Sequence, residues 1–310
     1  MSADVNATAI ARCEPFTGAR TAAPPMFPHK LAAVSLARDG PGALRERVAR
    51  QRPVLIEDFS RSLPVLECLT PEYLRSHHGL QPVPVYDASF GEPGPNYMGS
   101  VGSMTLSDFL DATLREGRDL RMFLYNVGRQ LPELLDGVSF PEVGLRLSRR
   151  FVYAFAGCRG ATTPLHYDID MGCVLHTVTG GRRRVRLFAA DQSTALQRHP
   201  FTVRSYANLD RPDFDAYPAL ARVRGYEVVM EPGQTLFMPA GYWHEFHYLE
   251  PGFGVSLRAG SPRLRDRARG AANLLVASPI DRLGNRLGGR RWFAWKERRA
   301  RALAARAGQA

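Results

Sequence analysis

Three side chains in this sequence could bind one metal ion: His166, Asp168 and His244. In an extended strand, side chains two residues apart point to the same face, so His166 and Asp168 can reach one ion. His244 closes the segment Pro239–His244 and could complete the set from a neighbouring strand. Two histidines and one carboxylate leave the other metal positions open, which is the ligand set of non-haem Fe(II) oxygenases. The spacing therefore predicts an Fe(II) site with room for further ligands.

The candidate ligands lie in a part of the chain whose pattern predicts short β-strands. Between residues 161 and 258, apolar or alternating runs are separated by glycine and proline turns, which indicates a sandwich or barrel. Helices are predicted to begin earlier, at the N-caps Thr70 and Thr105. The predicted strands are Pro53–Ile56, Val83–Tyr86, Arg121–Val127, Phe151–Phe155, Cys173–Thr179, Arg184–Phe188, Tyr226–Met230, Thr235–Met238, Trp243–Tyr248 and Gly254–Arg258.

Length and composition predict one large domain between two dissimilar ends. The chain has 310 residues, 45% of them hydrophobic, which is enough for a substantial core. Residues 1–25 are small, polar and proline-containing, and we expect a flexible segment there. The domain is predicted to span residues 26–260. Residues 261–310 are rich in arginine and alanine, and we expect two or three helices separated at Pro279 and Gly288–Gly289.

The cysteines and the N-terminal residues favour a cytoplasmic protein. Cys13, Cys68, Cys158 and Cys173 are scattered without a CxxC pair, so we expect thiols rather than a disulfide framework or a zinc site. The first residues contain no apolar signal segment. No apolar run approaches the length of about 18 residues expected of a membrane-spanning helix.

The segments around the candidate ligands resemble a known family. Thr162 to Asp168 looks like the TPxHxD segment of the cupin-like JmjC oxygenases, particularly the factor-inhibiting-HIF type of asparaginyl hydroxylase, and Pro239–His244 is similar to the segment that carries the family's last ligand. The resemblance covers about residues 40–260. It implies a mainly β fold, a double-stranded β-helix (cupin or jelly-roll) barrel with flanking N-terminal helices and a C-terminal basic helical extension. It also implies hydroxylation of a C–H bond in a protein, peptide or small-molecule substrate, with Fe(II) bound by His166, Asp168 and His244 and with 2-oxoglutarate as co-substrate.

The resemblance also implies residues that bind 2-oxoglutarate. Thr163 matches a threonine that hydrogen-bonds its distal carboxylate. The lysine that pairs with this carboxylate in the family falls on Arg183, whose guanidinium fork suits a carboxylate. Arg258, 14 residues after His244, is an equal candidate, because many related oxygenases place an arginine there. The family's tyrosine is expected at Tyr125. His176 shares the parity of His166 and could line the pocket, but we expect it to pack in the core.

Two departures from the family support a rival interpretation. The asparagine that usually follows HxD is missing, since the chain reads Met171-Gly172-Cys173-Val174. The asparagine expected on the last strand is replaced by Arg258 or Ala259. The alternative is therefore a non-catalytic cupin-type protein that binds a metal or another ligand.

The positive charge of the chain is concentrated in residues 261–310. This tail has 13 Arg or Lys against 3 Asp or Glu, a net of +10 out of +11 for the whole chain. Three interpretations stay open: a homodimer through the C-terminal helices, as the resemblance implies, an anionic surface bound by the tail (membrane or nucleic acid), or a solvated face on packed helices. A second basic run, Arg182–Arg186, is predicted to point Arg183 inward and the other arginines outward.

Overall fold

The computed structural model describes residues 26–91, 99–215 and 217–307, so the predicted flexible segment 1–25 lies outside the described residues. The described chain is mainly β. Its strands are β1 (Ala33–Val34), β2 (Val54–Ile56), β3 (Pro82–Val85), β4 (Gly102–Thr105), β5 (Arg121–Asn126), β6 (Leu147–Gly157), β7 (Thr162–His166), β8 (Cys173–Gly180), β9 (Arg183–Phe188), β10 (Gly225–Met230), β11 (Thr235–Met238), β12 (Trp243–Tyr248) and β13 (Gly252–Ala259).

Two facing sheets form the barrel. The larger sheet has the order β1-β2-β11-β8-β13-β6-β5, and the smaller has the order β10-β9-β12-β7. Every pairing in the smaller sheet is antiparallel. A separate hairpin pairs β3 with β4. This topology confirms the predicted jelly-roll class, and the predicted strands from residue 173 to residue 258 match the observed ones to within two residues.

Side-chain alternation divides the core into two layers. Along β8, Val174 and Val178 face the smaller sheet and pack with Val185 and Leu187 of β9. Leu175, between them in the sequence, points to the other face and joins the largest apolar cluster. That cluster lies under the N-terminal helices. The two layers hold the larger sheet from both sides, so the face that carries the candidate site is fixed.

Four α-helices precede β6 and two follow β13. They are α1 (Leu36–Ala49), α2 (Pro71–His78), α3 (Leu106–Leu110), α4 (Val127–Gln130), α5 (Leu264–Ala272) and α6 (Ser278–Ala307). The predicted caps are confirmed, because Thr70 accepts a hydrogen bond from the Tyr73 amide at 3.3 Å and Thr105 accepts one from the Asp108 amide at 3.1 Å. None of the helices among the described residues is long and apolar enough to cross a membrane.

Two predictions about local structure were wrong. Pro279 does not separate helices, since it is the second residue of α6 and lies two residues after a π turn, Asn273–Ala277. The wider turn accommodates a residue that has no amide hydrogen. Gly289 does break α6, with φ of 46° and ψ of −124°. Cys158 is disulfide-bonded rather than a thiol, whereas Cys68 and Cys173 are free.

Candidate metal centre and co-substrate cavity

The three predicted ligands meet at one point of the smaller sheet. Ligand atoms of His166, Asp168 and His244 all lie within 4.8 Å of one another. The antiparallel pairing of β7 with β12 places His166 directly opposite His244, which explains how residues distant in sequence come together. Asp168 lies just beyond the end of β7 rather than within a strand. The cluster has the donor set and the size of a site for one metal ion.

Backbone carbonyls orient both histidine rings. The Nδ1 atom of His166 lies 2.7 Å from the Pro164 carbonyl oxygen, and the Nδ1 atom of His244 lies 3.1 Å from the Tyr242 carbonyl oxygen. A carbonyl only accepts, so each Nδ1 carries the hydrogen and each Nε2 keeps a lone pair. Burial, together with the neighbouring His244, holds the pKa of His166 well below its usual range. Burial also lowers the pKa of His244. Both rings therefore have the neutral form and the tautomer that a metal ligand needs.

Arg258 binds the carboxylate of the triad. Its Nη2 donates to Asp168 Oδ1 at 2.8 Å, and its Nη1 lies 3.5 Å from Asp170. Burial alone would raise the pKa of Asp168, but Arg258 and the two histidines hold this pKa at about 2. One oxygen of Asp168 is thus fixed by the guanidinium. This contact occupies part of Arg258, the second candidate for the co-substrate.

Arg183 is buried without a carboxylate. Its side chain is 1% exposed, and among the described residues no Asp or Glu pairs with it. Nη1 donates to His176 Nε2 at 3.0 Å, whereas Nε and Nη2 have no hydrogen-bond partner in the described part of the chain. The guanidinium lies 4.5 Å from the centre of the Tyr248 ring. Burial lowers the pKa of this guanidinium. A buried cation without a neighbouring anion destabilises the folded protein. The arrangement therefore fits the binding of an anionic ligand next to Arg183.

Arg183 and the triad line the same cavity between the sheets. Thr163, the predicted partner of the distal carboxylate, lines it as well. Its wall combines a few polar or charged side chains with aromatic and aliphatic ones, a composition typical of sites for small molecules. The remaining lining residues are Phe123, Leu124, Phe155, Val174, His176, Met238, Phe246, Tyr248, Ser256 and Arg258.

Tyr125 does not have the position that the sequence predicted. A register shift interrupts the pairing of β5 with β6 between Met122 and Tyr125, and Leu124 has a φ of 53°. The resulting bulge reverses the alternation, so Phe123 and Leu124 line the cavity. Tyr125 packs into the core on the other side of the sheet. Its hydroxyl has no hydrogen-bond partner among the described residues.

Three cavity residues were missed or misplaced by the sequence analysis. His176 does not pack in the apolar core; its Nδ1 donates to Ser256 Oγ at 2.8 Å, and its Nε2 accepts from Arg183. Burial and the adjacent Arg183 hold the pKa of His176 well below its usual range. Tyr248 shares a strand face with His244, and Ser256 shares one with Arg258. Strand alternation alone could have identified both residues.

The outward arginines of β9 are neutralised by acids. Arg186 contacts Asp210 at 2.7 Å and Glu227 at 2.8 Å, and Arg184 contacts Asp210 at 2.8 Å. The prediction of an inward Arg183 between outward neighbours is confirmed. The ion pairs argue against a nucleic-acid site on this face.

The end of the tail packs onto the barrel domain. After the break at Gly289, α6 folds back so that Lys296 forms a buried ion pair with Asp281 at 2.6 Å. Trp292 donates to the same carboxylate at 2.8 Å and packs against Phe201, with ring centroids 5.8 Å apart. Trp292 therefore packs against the barrel domain, which agrees with the interpretation of the tail as packed helices.

A larger groove of about 1240 Å³ leads from the metal site to the tail. His166, Asp168 and Arg258 lie at one end. Residues of the first half of α6, among them Arg282 and Arg286, line the other end. The groove is wide enough to admit a substrate much larger than the inner cavity could hold.

Comparison with known proteins gives consistent matches. The cupin-like domain family matches residues 42–258. Lysine-specific demethylase 8 of Xenopus tropicalis is 26% identical over 220 residues, which cover 66% of this chain and 47% of the relative. Jumonji C domain-containing protein 5 of Drosophila melanogaster is 25% identical over 222 residues, 66% of this chain and 54% of the relative. tRNA wybutosine-synthesizing protein 5 of Homo sapiens is 32% identical over 142 residues, 46% of this chain and 44% of the relative. The chain spans about half the length of these relatives.

Proposed function

Because this chain belongs to the cupin-like JmjC family, we propose that it is an Fe(II)- and 2-oxoglutarate-dependent oxygenase that hydroxylates a C–H bond. The observation that supports this most directly is the combination of the His166–Asp168–His244 cluster with a buried guanidinium, Arg183, in one cavity. The cluster supplies ligands for Fe(II), and the guanidinium supplies a partner for the distal carboxylate of a dicarboxylic oxo-acid.

The chain's own residues would hold and orient the reactants. The two carbonyl-anchored histidines and Asp168 would bind Fe(II), and Arg258 would fix the orientation of the Asp168 carboxylate. Arg183 would bind 2-oxoglutarate, with the side chain of Thr163 lining the same cavity. When bound, the iron and the oxo-acid supply the oxygen chemistry, which no protein side chain could provide.

The aromatic wall would keep this chemistry dry. Phe123, Phe155 and Phe246 surround the cavity, and the Phe123 ring lies 6.4 Å from the His166 ring. Excluding water strengthens the interaction of Arg183 with a carboxylate and limits side reactions at the metal.

We assign the carboxylate to Arg183 rather than to Arg258. Both arginines line the cavity, but Arg258 already donates to Asp168 and lies near Asp170. Arg183 keeps two nitrogens without a partner among the described residues. These contacts support Arg183 over Arg258 as the partner of the carboxylate.

The substrate is a protein, a peptide or a small molecule. The relatives are named for lysine demethylation and for wybutosine synthesis in tRNA, and these names belong to proteins about twice as long as the matched region. Demethylation begins with hydroxylation of a methyl C–H bond, so the same centre would serve either outcome. We propose hydroxylation as the basic reaction.

A non-catalytic cupin-type binding protein is the second candidate. The observation in its favour is the altered wall of the cavity: Arg258 or Ala259 stands where an asparagine is expected on the last strand, and Arg258 is engaged by Asp168. In such a protein, the metal would anchor a ligand without oxygen chemistry.

Turnover of the co-substrate separates the two candidates. Protein reconstituted with Fe(II) under anaerobic conditions would be mixed with 2-oxoglutarate and oxygen, and succinate would be measured by NMR. The oxygenase predicts slow succinate formation even without the natural substrate, and none in His166→Ala, whose fold is checked by circular dichroism. Tight iron and 2-oxoglutarate binding without succinate, also in the presence of candidate peptides, would favour the binding protein.

We also propose a homodimer through the C-terminal helices. The side chains of Val276, Ile280, Leu283 and Leu287 recur at the spacing of one helix face and are between 39% and 78% exposed. A second copy offers an identical stripe, so a two-fold interface would bury both. Light scattering should give a dimer mass for the parent and a monomer mass for Leu283→Asp. The control Leu264→Asp changes a leucine that is 79% exposed and outside the stripe, and it should stay dimeric.

A further inference from the structure

Two adjoining clefts on the outer surface contain a cluster of cationic side chains. One has a volume of about 560 Å³ and the other about 450 Å³, and both include Arg50 and Arg52. The first cleft adds three arginines from the start of the tail, and the second adds two cations near α1. We call the whole set the arginine cleft: Lys30, Arg47, Arg50, Arg52, Arg263, Arg265 and Arg269.

The positive charge of the arginine cleft is poorly compensated. Its walls contain only two carboxylates among the described residues, Asp191 and Asp266. Asp266 accepts a hydrogen bond from Ser261 Oγ at 2.8 Å and lies 3.6 Å from Arg265. Arg50 pairs with the exposed Glu46 at 2.9 Å. The remaining five cations form no ion pair within the part of the chain that the structure describes, in contrast to the paired arginines of β9.

This surface is built from segments far apart in the sequence. Arg50 and Arg52 lie between α1 and β2, whereas Arg263, Arg265 and Arg269 extend from the N-cap of α5 to its last turn. Two aromatic side chains stand in the same clefts, Tyr242 in the larger and Tyr226 in the smaller. Several guanidinium forks around a concave wall suit phosphate oxygens, and nearby aromatic rings suit stacked bases.

We propose that the arginine cleft binds the phosphate backbone of a nucleic acid. A concave, cation-lined surface admits a strand of phosphates, whereas a lipid bilayer contacts flat or convex surfaces and needs apolar side chains to insert. The exposed apolar stripe, residues 276 to 287, lies on another segment of the tail. The binding requires neither the metal nor the co-substrate, so it does not rest on the proposed oxygenase activity.

The tail connects the arginine cleft with the groove at the metal site. Helix α5 continues through the π turn into α6, where Arg282 and Arg286 line the groove. From Arg269 to Arg282 the helix advances 13 residues, about 20 Å at about 1.5 Å per residue. A strand bound in the cleft would therefore lie within reach of the groove.

The test compares two triple variants with equal loss of charge. The first, Arg52→Gln, Arg263→Gln and Arg265→Gln, removes three cations of the arginine cleft. The control, Arg298→Gln, Arg299→Gln and Arg306→Gln, removes three exposed arginines from the far end of the tail. All six side chains are exposed, so both variants should fold, which thermal unfolding would check. The probes are a fluorescein-labelled single-stranded RNA of mixed sequence, about 30 nucleotides long, and vesicles of phosphatidylcholine with phosphatidylglycerol.

We expect the cleft variant, and not the control variant, to lose affinity for RNA. Fluorescence polarisation should show RNA binding by the parent, with a Kd that rises about tenfold or more in the cleft variant and little in the control. The slope of log K against log salt should fall by about 2 in magnitude, since each phosphate contact to a single strand contributes about 0.7. Equal weakening in both variants would overturn the proposal and indicate an unspecific effect of net charge. Failure of the parent to bind RNA at low salt would also overturn it, and so would vesicle binding that depends on the cleft arginines without RNA binding.

Discussion

Replacing Arg183 by methionine should strengthen the apo fold. The guanidinium is 1% exposed, and two of its nitrogens have no hydrogen-bond partner among the described residues. A buried donor left unsatisfied costs about 1–3 kcal/mol. Methionine removes this cost, although His176 loses the hydrogen bond that Nη1 donates. We therefore expect a gain of about 1–2 kcal/mol in the free energy of unfolding, which corresponds to roughly 2–8 °C in Tm for a domain of this size.

The same substitution should weaken 2-oxoglutarate binding. Removing one partner of a buried charge pair costs roughly 2–5 kcal/mol. At about 1.4 kcal/mol per factor of ten, the Kd should rise from about 30-fold to several thousand-fold. Thermal unfolding of the apo-protein measures the first effect. Calorimetric titration of Fe(II)-loaded protein with 2-oxoglutarate, under anaerobic conditions, measures the second.

Arg182→Met is the matched control for Arg183→Met. Arg182 is the preceding residue, its side chain is 47% exposed, and it pairs with Glu250 at 2.7 Å on the outside of the barrel. Surface ion pairs contribute about 0–1 kcal/mol, so we expect small changes in Tm and in Kd. The reasoning is refuted if Arg183→Met lowers the Tm of the apo-protein and leaves the 2-oxoglutarate affinity unchanged. Arg183 would then be a structural side chain.

Three further predictions concern other parts of the site and its support. Arg258→Met should weaken metal binding about 10–100-fold, because Asp168 loses its fixed orientation. Competition with a fluorescent chelator for Mn(II) would measure this affinity. Unchanged metal affinity with lost 2-oxoglutarate binding would contradict our assignment of the co-substrate carboxylate to Arg183. Tyr248→Leu should weaken 2-oxoglutarate binding, because it removes the aromatic ring that lies 4.5 Å from the Arg183 guanidinium. Tyr125→Phe should leave this binding and the stability unchanged, because the Tyr125 hydroxyl is buried without a partner among the described residues. The opposite pattern in calorimetry would restore the predicted role of Tyr125. Burial, with a contribution from Lys296, lowers the pKa of His199 to about 4. The unfolded state therefore binds more protons than the folded state between pH 6.5 and pH 4. The stability that this neutral histidine contributes is full above pH 6.5 and is lost as the pH falls towards 4. Urea unfolding at pH 7 and pH 4.5 should show that His199→Phe loses less stability than the parent, by up to about 3 kcal/mol, and equal losses would contradict this account.

The predictions from the sequence were correct where residues close together in the chain decide the structure. Strand alternation placed Arg183 inside the barrel and its neighbours outside, because each residue of a strand reverses the direction of the side chain. The spacing of His166 and Asp168, together with a motif for His244, identified the metal cluster. The capping residue Thr70 marked a helix start, because a hydroxyl that accepts an amide hydrogen bond is a local event.

The failures arose where a local irregularity or a distant partner decided the outcome. A single bulge at Leu124 reversed the alternation of β5 and moved Tyr125 into the core. The sequence left Arg183 and Arg258 equivalent, because the contact of Arg258 with Asp168 depends on tertiary packing. The arginine cleft was invisible for the same reason, since Arg52 and Arg263 meet only in the folded chain. Tertiary contacts of this kind leave no signature in the local pattern.

The most direct test of the central claim is an anaerobic titration of the apo-protein with Fe(II) and then with 2-oxoglutarate. The visible metal-to-ligand charge-transfer absorption reports chelation of the oxo-acid at the metal. We expect a new band that requires both additions, is absent in His166→Ala, and needs far higher 2-oxoglutarate concentrations in Arg183→Met. Iron binding by the parent without this band at saturating 2-oxoglutarate would contradict the oxygenase assignment.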